Sequence, residues 1–255
     1  LGVYRRLFQI LEKKRAHSLP AQMEALLAQS YDATQGAAQI FNMFNNADVR
    51  FPSITGENGQ ELPVTHGTYI SLLESKDRRI RRDAFQALYS VYAQYKNTIC
   101  ATFSANVKQA LFYAKTRGYA SSRQHSLAEN EVPEAVYDNL VTAVRKGLPL
   151  LHRYVGIRKK ALGLEDLHMY DLYVSMAADV ERRYTIEEAK NLVLEGLKPL
   201  GEAYGKLLRQ GFEDRWIEVY ENEGKRSGAY SWGVYGTHPY VLMNFNGTLN
   251  DVFTL

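Results

Sequence analysis

The sequence predicts a mainly α-helical protein, on three observations. Apolar residues recur at helical spacing along most of the chain. The stretch 77–117 contains neither proline nor glycine. Strand-forming patterns are confined to two places, one early and one near the C-terminus. The expected architecture is a large helical body with one long helix, a short early β-hairpin and a small β-sheet near the C-terminus.

Over 1–15, Val3, Leu7, Ile10 and Leu11 fall on one helical face, and Arg5, Arg6, Glu12, Lys13 and Lys14 on the other. Ser18 and Pro20 signal the start of a second helix with Met23, Leu26 and Leu27 as its apolar face. Gly36 breaks it, and a third helix carries Ile40, Phe41 and Phe44. Residues 51–54 and 61–64 flank Gly56-Glu57-Asn58-Gly59, a hairpin signal. Thr65 is placed to cap a short helix over 67–73.

The stretch 77–117 carries Ile80, Phe85, Leu88, Tyr92, Ile99, Phe103, Val107, Leu111 and Ala114 within one broad stripe. It reads as a single continuous helix, several times the ordinary length. Tyr89, Tyr92, Tyr95 and Tyr113 read as packing residues with wet hydroxyls. Gly118 ends this helix, and Ser121-Ser122 cap a short one. Val132-Pro133 opens another, which Gly147 and Pro149 separate from the next, with Tyr154 and Ile157. Gly163 ends that one, and 167–174 is an aromatic-rich extended segment. Thr185 and Glu188 form a capping-box pattern. Pro199 kinks or restarts the helix that ends near Gly211.

Residues 217–245 are rich in aromatic and β-branched residues bounded by Gly, Pro and Asn, and predict two or three short strands. Asn246-Gly247 then turns the chain into a last helix for which no stop signal follows. The expectation is a chain cut inside that helix, just before something else. Leu1 is not a natural start, which leaves room for a missing N-terminal region.

A chain that is 45% hydrophobic can bury a substantial core. The net charge is only +3, with 31 basic and 28 acidic residues interspersed, which argues against a nucleic-acid surface. The single cysteine, Cys100, cannot form an internal disulfide and reads as a buried, inert thiol in a cytoplasmic protein. No apolar run approaches the ~20 residues of a membrane span.

Chemistry is sparse. No two of His17, His66, His125, His152, His168 and His238 have the spacing of a helical zinc pair, and one cysteine excludes a thiolate site. Each reads as structural, with His168 and His238 kept as cleft candidates because they sit in irregular aromatic segments. There is no Gly-x-Ser-x-Gly, no reactive-cysteine signature and no phosphate loop. Glu221 and Glu223, beside Lys225 and Arg226, read as a solvated turn. Gly228, Gly233 and Gly236 leave the late sheet open to close backbone approach. Either that sheet simply packs on helices, which composition alone favours, or a peptide adds to its edge as a strand.

Several segments carry a resemblance. They are Tyr220-Glu221-Asn222-x-Gly224-Lys225-x-Ser227-Gly228-Ala229-Tyr230, Pro239-Tyr240-Val241-Leu242-x-Asn244 and Asp251-x-Phe253-Thr254-Leu255. Asn45-Asn46-Ala47-Asp48 and Leu167-His168-Met169-Tyr170-Asp171-Leu172-Tyr173 join them. Together they resemble the oligoendopeptidase F family of thimet-oligopeptidase-like zinc metallopeptidases. The resemblance implies hydrolysis of short peptides by zinc-activated water, with the Glu of a His-Glu-x-x-His helix as base. That helix would follow directly after Leu255. No catalytic residue and no metal ligand is therefore expected in this chain, which alone would bind no zinc and be inactive. The resemblance divides the chain into an N-terminal helical domain with a β-hairpin, 1–75, and the N-terminal part of the catalytic domain, 76–255. It places a substrate-binding strand at Gly228, Ala229, Tyr230, Ser231, Trp232 and Gly233, with Tyr235, His238 and Tyr240 nearby. The implied partners are an oligopeptide and the remaining C-terminal part of the catalytic domain, with neither nucleic acid nor membrane. The alternative is a non-catalytic α-helical interaction module.

Overall fold

The computed structural model describes residues 2–177, 182–222 and 225–255. Glu223 and Gly224 of the polar turn, and Leu1, lie outside the described residues. The helices are α1 (Arg5–Arg15), α2 (Ala21–Thr34), α3 (Gly36–Met43), α4 (Tyr69–Leu73), α5 (Arg78–Gln94) and α6 (Lys96–Thr116). They continue with α7 (Ser122–Ala128), α8 (Glu134–Ala161), α9 (Ile186–Gly196), α10 (Glu202–Glu213) and α11 (Leu249–Thr254). The strands are β1 (Ile54–Thr55), β2 (Glu61–Leu62), β3 (Ile217–Glu218), β4 (Tyr230–Trp232) and β5 (Tyr240–Leu242). The fold is mainly α, with the early hairpin β1–β2 and a small late sheet, as the sequence predicts. The chain forms two compact units, Leu1–Val49 with Tyr92–Asp166, and Arg50–Val91 with Leu167–Leu255.

In the first unit α3 packs on α6, α6 on α7 and α7 on α8. Polar and aromatic contacts tie these elements. Both terminal nitrogens of Arg117 donate to the Glu24 carboxylate at 2.9 Å. The Tyr92 hydroxyl donates to Asn45 Oδ1 at 2.7 Å, and that of Tyr113 lies 2.8 Å from Thr34 Oγ1. Those two tyrosines therefore bond to protein rather than staying wet. Among the described residues only Leu27 and Ala114 are buried apolar side chains of this unit.

The second unit has a denser interior. Residues Ile80, Ala84, Ala87, Leu88 and Val91 of α5 recur at helical spacing, and all are buried. Arg81 shares the buried face, at 3% exposure, and is met by Asp171, at 0%. Arg81 Nη2 donates to Asp171 Oδ1 at 2.8 Å, and Arg78 Nη2 to Oδ2 at 3.0 Å. Arg78 Nε donates to Oδ1 at 3.2 Å, and the His168 amide to Oδ2 at 3.0 Å. Burial alone raises the Asp171 pKa, and the hydrogen bonds from Arg78, Arg81 and the amide outweigh it, holding the carboxyl below its ordinary range. A second cluster joins Ala189 of α9, Met243, Phe245 and Val252 of α11.

Four expectations are corrected. The long helix is two, because Tyr95 leaves the helical basin at φ −97°, ψ 12°. Burial along the stripe stops at Val91 and resumes only at Ala114, and Tyr95 at the join packs edge-on against Phe44 at 5.1 Å. Conversely, α8 runs unbroken through Gly147 and Pro149. A proline removes one ladder bond, and Val144-Arg145-Lys146 before it and Leu150-Leu151 after it favour or tolerate helix. Cys100 is exposed rather than buried, since its helix α6 buries only Ala114. The segment 167–174 is not simply extended, because Met169–Asp171 forms a 3-10 turn around the Asp171 carboxylate.

Candidate functional site

The late sheet is built by alternation along 240–245. Met243 and Phe245 enter the second cluster with Val241 packed against it, and Tyr240 is exposed on the opposite face. The strand order is β3-β5-β4. β5 runs parallel to β3, with Ile217 opposite Val241. It is antiparallel to β4, with Tyr230 opposite Leu242, Ser231 opposite Val241 and Trp232 opposite Tyr240. β4 is therefore an edge strand, and all three of its residues are exposed.

Side chains distant in sequence set this edge. Asn244 Nδ2 donates to the carbonyls of Arg226, at 3.0 Å, and Gly228, at 2.8 Å, and so pins the chain entering β4. Asn244 Oδ1 is buried and has no partner among the described residues. Gly228 has φ +88° and Gly236 φ +85°, a region that disfavours other residues. Gly233 has no such φ, and a Cβ built on it meets nothing within 4 Å. Ala229 precedes β4, and Tyr235 beyond it is fully exposed.

His238 contacts two aromatic rings. Its ring stacks on Trp216 at 4.8 Å and 7°, and lies 4.5 Å from the Tyr240 ring. Its Nδ1 lies 2.8 Å from the Pro239 carbonyl. The structure thus brings together the expected residues 228–233, His238 and Tyr240 along β4 and β5. Sequence reasoning missed Trp216 and Asn244, whose partners are far along the chain. The quoted Pro239–Asn244 motif was the one signal that contained Asn244.

His168, the other histidine kept as a candidate, serves structure: its amide binds Asp171 and its ring stacks on Tyr170 at 5.0 Å. His17 and His125 both pack on Tyr119, and His66 meets Phe51 edge-on. The polar turn is less solvated than expected. Lys225 is only 6% exposed and donates to the Tyr220 carbonyl. Glu221 lies against Gly67, where an added Cβ would come within 2.6 Å of Glu221 Cγ.

A mainly helical chain with a small, edge-exposed sheet matches two family profiles. The one described as Oligopeptidase F covers residues 1–51, and that of Peptidase family M3 covers residues 71–255. The chain belongs to peptidase family M3. Among individual relatives, oligopeptidase PepF of Bacillus subtilis is 48% identical over 100% of this chain and 38% of its own length. The oligoendopeptidase F homolog of Lactococcus lactis is 43% identical over 99% of this chain and 42% of its own length. The crystal structure of oligoendopeptidase-F from Enterococcus faecium superposes with a TM-score of 0.69 at 45% identity, over 85% of this chain and 40% of that one. The chain therefore spans about two fifths of the length of these relatives.

Family M3 implies a metal. Among the described residues no three His, Cys, Asp or Glu side chains gather to hold one. The described residues do not fit a metal centre, and no catalytic step is assigned to them. No helix of the described residues is long and apolar enough to cross a membrane.

Proposed function

We propose that this chain is part of a cytoplasmic, zinc-dependent oligoendopeptidase that hydrolyses short peptides. It supplies helical walls of the cleft and the strand β4 on which the peptide lies, and is inactive alone. The zinc ligands lie outside residues 1–255, and the partners are the oligopeptide and the rest of the catalytic domain. The observation that carries the reading is the exposed edge of β4, flanked by Gly228 and Gly233 and bearing Tyr230 and Trp232. An extended peptide can pair with such an edge through its main chain, giving affinity with little regard for side-chain identity.

Gly233→Val tests it. The backbone there tolerates a side chain and the space is open, so the fold should survive. In the full-length peptidase, kcat/KM should fall with zinc content unchanged. Undiminished kcat/KM in a folded variant would remove β4 from the substrate site. Metal analysis of this chain alone after dialysis should find no stoichiometric zinc.

A further inference from the structure

We propose that His238 is a positioning residue for the bound peptide. It holds the exposed face of the sheet by bridging Trp216 to Tyr240. The proposal rests on the reading of β4 as the peptide-binding edge. Three contacts fix the imidazole. Trp216 covers one face, nearly parallel at 7°, and Tyr240 leans on the ring at 44°. A carbonyl only accepts, so the contact with the Pro239 oxygen places a hydrogen on Nδ1.

Trp216 is itself anchored. Its carbonyl accepts from the Val241 amide at 2.9 Å, and its indole lies so close to Gly211 of α10 that an added Cβ would sit 3.0 Å from Cε3. At the other end, the register sets Tyr240 opposite Trp232 on the edge strand. Cross-strand neighbours on one face constrain each other. A chain of packed rings thus runs from the end of α10 through His238 to Tyr240, beside the strand on which the peptide would lie. His238 acts through these rings, so losing it should weaken peptide binding and leave bond cleavage intact.

Two measurements test this. This chain has 2 tryptophans, so Trp232→Phe leaves Trp216 as the sole indole. In that background His238→Ala should red-shift and change the intensity of Trp216 emission; an unaltered spectrum overturns the stack. In the full-length peptidase, His238→Ala and His238→Leu should each raise KM about three- to tenfold, the range expected for aromatic packing, with kcat unchanged. His238→Phe, which keeps two aromatic faces, should restore KM to near the parent value. A Phe variant as impaired as Ala, or a fall in kcat, would overturn a positioning role. Gly233→Val measured alongside separates the failures. If it impairs cleavage while His238→Ala leaves KM unchanged, only the positioning role falls. If Gly233→Val has no effect, the edge-strand reading fails and takes this inference with it.

Discussion

In the second unit α5 turns Ile80, Ala84, Ala87, Leu88 and Val91 inward, whereas α6, directly downstream in the first unit, leaves Phe103, Val107 and Leu111 exposed. Apolar residues recur at helical spacing on both sides of Tyr95, but the amphipathic contrast is weaker along α6 than along α5. The first unit also exposes Val3, Leu7, Phe8 and Leu11 of its N-terminal segment. An amphipathic stripe states which residues share a face, not what covers it. The second unit relies on apolar burial and one buried carboxylate. The first relies on Glu24–Arg117 and the ring contacts of Tyr119 with His17 and His125.

The largest expected effect would break the second unit. Asp171→Ala leaves the buried Arg81 charge without its carboxylate, with Nη1 still on the Ser75 and Lys76 carbonyls, and should cost about 3–5 kcal/mol. Urea unfolding within about 1 kcal/mol of the parent would show that the pair is dispensable. Leu73, at 2% exposure, should cost about 2–5 kcal/mol on truncation to Ala. Phe103→Ala in α6, at 67% exposure, should change stability by less than about 0.5 kcal/mol. Equal costs at the two sites would erase the contrast between the units.

Smaller effects probe the first unit. Ser121 Oγ accepts from the Gln124 amide at 3.0 Å, so Ser121→Ala should cost about 1 kcal/mol. Hydrogen exchange across 122–128 would report it as loosening of α7. The smallest effect is with pH. Burial, then the Arg117 charge, holds the His125 pKa below 6.5, with Glu129 opposing and His17 adding to the fall. The fold disfavours its protonated form. Its contribution is complete above pH 6.5 and is lost as pH drops through the folded value. Asp171 and Glu24 are depressed carboxylates, whose contributions are lost only as pH falls below 3.8 and 4.5 respectively. Acidification from about pH 7 to 5 should therefore loosen the first unit before the second. His125→Phe, which keeps a ring on Tyr119, should flatten the dependence; an unchanged slope would assign it to another group.

Much of the fold was legible because its signals are local. The Thr185 box closes with Glu188 Oε2 accepting from the Thr185 amide at 2.8 Å, and Gly118, at φ +72°, follows the end of α6. At the candidate site, the resemblance to the oligoendopeptidase F family marked Gly228–Gly233, Tyr235, His238 and Tyr240 as a group. It could not say that β4 lies at the edge, because strand order depends on β3 pairing with β5 across the intervening chain. Nor could it find Trp216, which no motif ties to His238.

The sequence by itself determined the helical class, the Ser121 and Thr185 caps, the hairpin and the family, since each rests on residues a few positions apart or on quoted motifs. Tertiary structure alone decided where the long helix breaks, that Cys100 faces out, and that Asp171 neutralises a buried arginine. It also decided which strand is left at the edge. Those outcomes depend on what packs against each face, which contacts between distant segments decide and a local pattern does not encode.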